Sequence, residues 1–234
     1  RGDRNVAIGN FALQVQSNTS NDDIYNVAVG YAAGGSITTG NLNTLIGGLA
    51  GDAITEGHSN VAVGYQALST NVDGDGNTAV GYSALFALEP ANGLTYNTGI
   101  GYNSGVNVTT GTQNTLLGAD SGKSLTTGGN NVAIGFEALA AEDEHSFNVA
   151  VGHRALKTQN AGASAYNTAV GYNAGLSVTT GTENVLIGGL TGDALTTGIE
   201  NTAIGHQALS AAQTSHANVA IGHQSLALQS ADGY

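Results

Sequence analysis

Asn148-Val149-Ala150-Val151-Gly152 is one copy of the five-residue pattern that decides the fold. The pattern is Asn, then Val or Thr, then a small or aliphatic residue, then an aliphatic residue, then Gly. A period this short indicates stacked coils, because one coil cannot bury its apolar residues alone. Thirteen asparagines begin the pattern, with nine steps of 17 residues and three of 19 to 21: Asn5, Asn26, Asn43, Asn60, Asn77, Asn97, Asn114, Asn131, Asn148, Asn167, Asn184, Asn201 and Asn218.

The three longer steps divide the coils into groups of four. A tyrosine precedes the first Asn of each group, at Tyr25, Tyr96 and Tyr166. Tyr234 stands at the same place in the pattern, so we expect this to be a segment of a longer repetitive chain. The sequence predicts a single repetitive β-solenoid over residues 1–234, with a partial group at 1–25 and coil groups at 26–96, 97–166 and 167–234.

Each copy of the pattern is too short for a helix and reads as a short buried strand bounded by Gly. Side chains alternate across a strand, so Val27 and Val29 share one face and Ala28 takes the other. Both faces are apolar and need cover. We expect one face to line the coil's own interior, and the Ala face to meet another strand layer in a homo-oligomer.

The remainder of each coil predicts corners and a second strand. A Gly four residues after each Asn indicates a tight corner. Eight residues after the Asn, Gly and Leu alternate in pairs, which suggests two corner designs. A second strand is predicted at Val108–Gly111 and Val178–Gly181. Stacked Asn side chains are expected to form hydrogen-bonded ladders.

Composition narrows the function classes. Five basic and seventeen acidic residues give a formal net charge of -12, which argues against nucleic acid and anionic lipid as partners. No apolar run is long enough to span a bilayer, so no membrane insertion is predicted within this segment. The chain has no Cys, which excludes a disulfide framework. The sequence carries no catalytic triad, phosphate-loop or zinc spacing, and we predict no enzyme, cofactor or metal site.

The repeats resemble two known kinds of fibre. Asn148-Val149-Ala150-Val151-Gly152 and Asn201-Thr202-Ala203-Ile204-Gly205 resemble the head repeats of trimeric autotransporter adhesins, and Gly81-Tyr82-Ser83-Ala84-Leu85 is similar to repeats in bacteriophage tail fibres. The resemblance covers Asn5 through Tyr234. It implies an all-β fold, a left-handed parallel β-roll of 13 coils, a homotrimer, and attachment to a host or surface. It transfers no binding residue.

One candidate binding surface follows the corner Gly, where an aromatic or imidazole ring is frequent. Such a ring ladder could stack against a carbohydrate, and its histidines could gather an anion or metal. The alternative is that the rings only cover the solenoid edge and stack coil on coil. The ring ladder comprises Tyr31, Tyr65, Tyr82, Tyr102, Phe136, His153, Tyr172, His206 and His223.

Four other motifs have residue types that suggest a function. Asp73–Asn77 resembles the start of a calcium loop, but the Gly and Glu required later in such a loop are absent, which favours a polar turn. Glu142–His145 could supply acid and base groups for glycan cleavage, but a solvated loop is the simpler interpretation. Arg1–Asp3 spells a cell-attachment tripeptide, which we take as accidental. Thr-Thr pairs raise an ice-binding hypothesis, although the array is discontinuous: Thr38-Thr39, Thr126-Thr127 and Thr196-Thr197.

The sequence therefore predicts a structural or adhesive fibre segment, extracellular, in a virion tail fibre or on a bacterial cell surface. Its expected partners are identical chains and a host glycan or protein receptor. The alternatives are an ice-binding or end-to-end self-assembling solenoid filament, and a glycan-degrading tailspike.

Overall fold

The computed structural model describes residues 4–17, 24–89 and 93–228, so the tripeptide Arg1–Asp3 and Tyr234 lie outside the described residues. The described residues form strands, turns and bends but no helix. Each copy of the pattern gives one three-residue strand, which confirms the all-β parallel β-solenoid. The strands are β1 (Val6–Ile8), β2 (Val27–Val29), β3 (Thr44–Ile46), β4 (Val61–Val63), β5 (Thr78–Val80), β6 (Thr98–Ile100), β7 (Thr115–Leu117), β8 (Val132–Ile134), β9 (Val149–Val151), β10 (Thr168–Val170), β11 (Val185–Ile187), β12 (Thr202–Ile204) and β13 (Val219–Ile221).

The chain divides into two compact units, Arg1–Asn114 and Thr115–Tyr234. In the first unit β1 to β6 pair in parallel in chain order. In the second unit β7 to β13 do the same. Within each unit, residues at equivalent pattern positions pair, as Ala150 does with Ala169. The left-handed sense of the coil stays a prediction.

The strand faces are the reverse of the expected assignment. The central residue of each strand from β2 onward points into the coil and is buried, as Ala28 and Ala133 are with 0% exposure. The flanking residues Val27 and Val29 lie on the outside and are only partly covered. The prediction that the Ala face meets another chain is therefore wrong. The coil interior is thin and already holds Leu and Ile side chains, so the strand centre is mostly small.

The predicted second strand is also wrong. Residues 109–110 and 179–180 form bends, and the residues on either side of them are not in strands. The stacked coils still bond here, since Thr179 N donates to Thr196 O at 2.9 Å. Gly181 N donates to the same carbonyl at 3.2 Å, so the bonds converge on one oxygen and do not extend into a ladder.

The corner eight residues after each Asn has one backbone conformation and two fillings. Gly51 has φ 54° and Leu68, at the same place in the next coil, has φ 55°. Leu68 is fully buried and fills the core beside Ala62. Gly51 leaves that space to Ile54 and to Leu45 at the centre of β3, because a Cβ on Gly51 would lie 2.7 Å from Ile54 Cδ1 and 2.9 Å from Leu45 Cδ2. The two predicted corner designs are thus one backbone with exchanged side-chain volume.

A single leucine serves two glycine corners. Leu45 also occupies the space at Gly34 in the preceding coil, where a Cβ would lie 2.7 Å from Leu45 Cδ1. Leu186 does the same in the second unit, at 2.8 Å from a Cβ on Gly175 and 2.9 Å from one on Gly192. This sharing explains why glycine corners come in adjacent pairs.

The predicted Asn ladder is confirmed and fixes the stacking. Within each unit, the side-chain oxygen of one Asn accepts from the backbone N–H of the next Asn, at 3.0 Å from Asn201 N to Asn184 Oδ1. In most coils the side-chain N–H₂ donates to the carbonyl 14 residues on, at 2.9 Å from Asn184 Nδ2 to Gly198 O. Asn184 is fully buried, so these bonds replace water at a site that only a matching coil can complete.

The corner four residues after each Asn requires glycine, as expected. Gly135 has φ 134°, and a Cβ there would lie closer than 3.0 Å to the Gly152 carbonyl of the next coil. Any side chain would separate the two coils.

Candidate functional site

The ring ladder is stacked coil on coil. Tyr82 lies between Tyr65 and Tyr102, with ring centroids 5.6 and 5.3 Å away and interplanar angles of 23° and 17°. In the second unit His153 lies between Phe136 and Tyr172 at 5.4 and 5.3 Å. Stacking of this kind stabilises neighbouring coils.

The remaining rings of the ladder form pairs. Tyr31 contacts Phe11 edge-on at 5.7 Å, and His206 stacks on His223 at 5.4 Å. Phe11 was not predicted to belong to the ladder, because it follows an Asn at the usual ring position. A role of these rings in binding stays a prediction.

Stacking limits what the ladder can bind. The rings are half-exposed, Tyr82 at 48% and Tyr102 at 54%. In Tyr82 and His153 both ring faces meet neighbouring rings, so mainly their edges reach solvent. Carbohydrate stacking needs a free ring face, which the middle of a stack does not offer.

A second ring stack lies directly before the strands. Phe147 and Tyr166 are parallel within 1° at 5.2 Å. Tyr25 in the first unit takes a cation–π contact instead, with Arg4 5.5 Å from its ring centroid. We read the tyrosines before each group only as markers of the period. The aromatic Phe147 before Asn148 was the signal for a stack.

An ion cluster accompanies the second ring triad. Arg154 Nε and Lys157 Nζ each lie 2.8 Å from Glu137 Oε2, and the Arg154 guanidinium lies 5.9 Å from the Phe136 ring centroid. The hydrogen bond from Lys157, followed by that from Arg154, lowers the pKa of Glu137 against the opposing effect of burial. The cluster fixes the edges of two adjacent coils.

The outer strand face was missed as a surface. We define it as the side chains one and three residues after each Asn. The first of these positions holds Val or Thr, the second is aliphatic in all thirteen coils, and neither carries a charge. Several of these side chains are substantially exposed, including Ile46 at 39% and Leu117 at 41%. Sequence alternation identified the two faces but could not tell which one points inward.

Glu142 is not in a solvated loop, which corrects that expectation. Its carboxylate is fully buried, and Oε1 accepts hydrogen bonds from Asp143 N and His145 N, both at 3.2 Å. His145 Nδ1 lies 2.8 Å from the same oxygen, and Gln159 Nε2 donates to Oε2 at 3.1 Å. Glu142 occupies a core position that Ile, Leu or Val fills in most of the other coils. Its oxygens close the turn, which makes burial of the carboxylate possible.

Within the described ranges, Glu142, Asp143 and His145 form the group that could offer metal ligands. One ligand atom from each lies within 4.8 Å of the others. Since Glu142 is satisfied by hydrogen bonds from the protein, the cluster is explained as a turn and we assign it no ion.

The calcium-like segment is a polar turn, as expected. Asp73 Oδ1 accepts from Thr55 Oγ1 at 2.9 Å, and Asp75 Oδ1 accepts from His58 N at 2.6 Å. The carboxylates therefore bond the preceding coil and do not converge on a common point.

The Thr-Thr pairs use one of their two hydroxyls for hydrogen bonds between coils. Thr38 Oγ1 donates to Thr55 O at 3.2 Å, and Thr196 Oγ1 donates to Gln213 O at 2.8 Å. The first hydroxyl of each of these pairs thus bonds the next coil, and a flat array that orders water loses that hydroxyl.

Within the part of the chain that the structure describes, no helix has the length and apolar character needed to cross a membrane.

The chain matches no protein-family model, and comparisons with curated proteins and with solved structures found no significant match. The resemblance to fibre repeats therefore rests on the sequence motifs alone and stays a prediction.

Proposed function

We propose that the chain is a structural and adhesive segment of an extracellular fibre, without catalytic activity, in which identical chains associate along their outer strand faces. The observation that carries this proposal is the uncharged aliphatic column on that face, repeated in every coil. Apolar surface that continues over many repeats is typical of an interaction site.

The partner that fits this face best is a second copy of the chain. Val63 and Val80 illustrate the column: they occupy paired positions on β4 and β5 and are partly exposed. A partner must present apolar groups at the same interval to cover every row, and another copy does so by construction. The resemblance to trimeric fibre repeats favours three chains.

Attachment is proposed for the surfaces that association leaves free. The ring ladder supplies aromatic edges and the turns supply acidic groups. The expected targets are a host glycan or a protein receptor. The virion tail fibre and the bacterial cell surface are the two proposed settings.

Immobilised glycan and receptor arrays test attachment. The fluorescently labelled chain should bind a subset of surfaces, and binding should fall when Tyr102 and Tyr172 are both replaced by Ser. The matched control is Thr127→Glu, which adds charge at an exposed position away from the rings. If the folded chain binds none of the surfaces, the adhesive part of the proposal is contradicted.

A further inference from the structure

A glycine interrupts the ring ladder once in each unit, and Ala119 is a further position without a ring. Gly48 replaces the ring between Tyr31 and Tyr65, and Gly189 replaces the ring between Tyr172 and His206. Among the described residues, Tyr65 has a ring partner on the following coil only, and Tyr31 has only the edge-on Phe11 on the preceding coil. Tyr172 and His206 repeat this arrangement. Two rings therefore border each glycine without a ring between them.

The width of this interruption follows from the intact part of the ladder. Tyr65 and Tyr102 lie two coils apart and accommodate one ring, Tyr82, at 5.6 and 5.3 Å from their centroids. Tyr31 and Tyr65 are also two coils apart. The gap over Gly48 thus has the width of one planar ring.

The floor of the gap is open and apolar. A Cβ on Gly48 would have only the Tyr65 ring within 4 Å, at 3.5 Å, and a Cβ on Gly189 only the His206 ring, also at 3.5 Å. The strand residues beside the two glycines, Ile46 and Ile187, are 39% and 37% exposed. The equivalent valines on the neighbouring coils with a tyrosine are more covered, as Val29 and Val63 show. Ile204, beside the smaller His206, is also 37% exposed.

We propose that each gap is a binding slot for one planar aromatic ring, inserted between Tyr31 and Tyr65 over Gly48 and between Tyr172 and His206 over Gly189. The inserted ring takes the place that Tyr82 occupies in the intact stack. It gains a stacking contact with each bordering ring and lies at the edge of the outer strand face, beside the isoleucine. This inference deepens the proposed attachment function and rests on it for its biological meaning.

An aromatic ring fits better than a sugar. The slot is bounded by two ring faces and an aliphatic side chain, and Gly48 O already accepts a hydrogen bond from Gln66 N at 3.0 Å. A pyranose inserted there would bury hydroxyl groups without partners, which is unfavourable. The ring could belong to a free aromatic compound or to a side chain of a polypeptide.

The test uses indole as probe, because the chain has no Trp and the probe's NMR signals stand apart. With ¹³C-labelled Tyr, indole should shift the ring signals of Tyr31 and Tyr65 and leave Tyr82 unchanged. Saturation is expected at about 1 mM or above, a weak affinity that lies well within the ceiling for so small a ligand. Shifts spread evenly over all tyrosines would overturn the proposal.

Two substitutions at one position separate filling from damage. Gly48→Phe should fill the slot and abolish the Tyr31 and Tyr65 shifts. Gly48→Ala adds only a Cβ in ordinary contact and should retain binding within about threefold. Tyr82→Gly should open a new slot and add indole-induced shifts at Tyr102. Unchanged binding in Gly48→Phe, with its melting temperature retained, would refute the slot.

Two further probes identify the ligand. A blocked tripeptide carrying one Trp should bind if a polypeptide side chain is the source, whereas binding of indole alone indicates a free aromatic compound. Methyl β-glucopyranoside binding at Gly48 in place of indole would overturn the aromatic assignment. If indole binds and Gly48→Phe leaves surface attachment unchanged, the slot stands and attachment lies elsewhere on the chain.

Discussion

The coils that begin at Asn43 and Asn60 share a backbone and differ in where they place their side chains. The first has Leu45 at the strand centre, Gly51 at the corner and Gly48 at the ring position. The second has Ala62, Leu68 and Tyr65 at those places. Their corner φ angles are 54° and 55°. The residues that change over the four-coil period are therefore those that set where side-chain volume lies. The backbone stays the same in every coil because the Asn ladder and the corner glycines hold it.

The largest loss of stability is expected from a substitution at the corner glycine that all coils share. Gly135→Val places a β-branched side chain at φ 134° and against the Gly152 carbonyl. We expect a loss of unfolding free energy of about 3 kcal/mol or more, since backbone strain and separation of two coils add. Chemical denaturation measures it. A stable variant with unchanged φ at residue 135 would contradict the stated cause.

The next largest effect concerns the ladder. Asn184→Ala removes the acceptor for Asn201 N and the donor to Gly198 O, both in a buried site. Buried groups left without partners cost about 1–3 kcal/mol each, so we expect a loss of about 2–4 kcal/mol. The matched control is Asn160→Ala at an exposed position, which should change the unfolding free energy by less than about 0.5 kcal/mol. Equal effects of the two substitutions would refute the role of the ladder.

Sequence predicted the solenoid and the Asn ladder because both follow directly from period and residue type. It could not orient the strands, because Ala133 and its neighbours Val132 and Ile134 are all apolar and alternation is symmetric. It also misplaced Glu142, whose charge suggests solvent although its carboxylate closes a buried turn. Such burial depends on hydrogen bonds from adjacent residues and from the next coil, which a one-dimensional pattern does not show.

Moving the Leu side chain from the strand centre to the corner tests whether the two coils differ only in where they place this side chain. Leu45→Ala should cost about 2–5 kcal/mol through the cavity it leaves, and Gly51→Leu should also destabilise by overpacking against Leu45. The double variant reproduces the combination in the coil that holds Ala79, Leu85 and Leu88. We expect it to be more stable than the sum of the single effects predicts, by about 1–3 kcal/mol. Strict additivity in thermal or urea denaturation would contradict the exchange.

A smaller effect is expected from the ion cluster. Because the pKa of Glu137 is lowered in the folded chain, this carboxylate adds stability above its unfolded-state pKa of about 4.3. That stability is lost as pH falls through the lower folded-state pKa. Glu137→Gln should therefore cost less than about 1 kcal/mol at pH 7, since the partners are partly exposed. The difference from the wild type should vanish in strong acid, and a difference independent of pH would contradict the assignment.

Association through the outer strand face is the central claim, and the molar mass in solution by multi-angle light scattering tests it most directly. The account predicts three times the chain mass of 23.3 kDa for the wild type and for Thr127→Glu, whose charge matches the natural Glu56 at the same place in another coil. Ile134→Glu should reduce the mass to that of one chain while circular dichroism stays unchanged. A wild-type mass of one chain, or an Ile134→Glu variant that keeps the full oligomer mass, would contradict it.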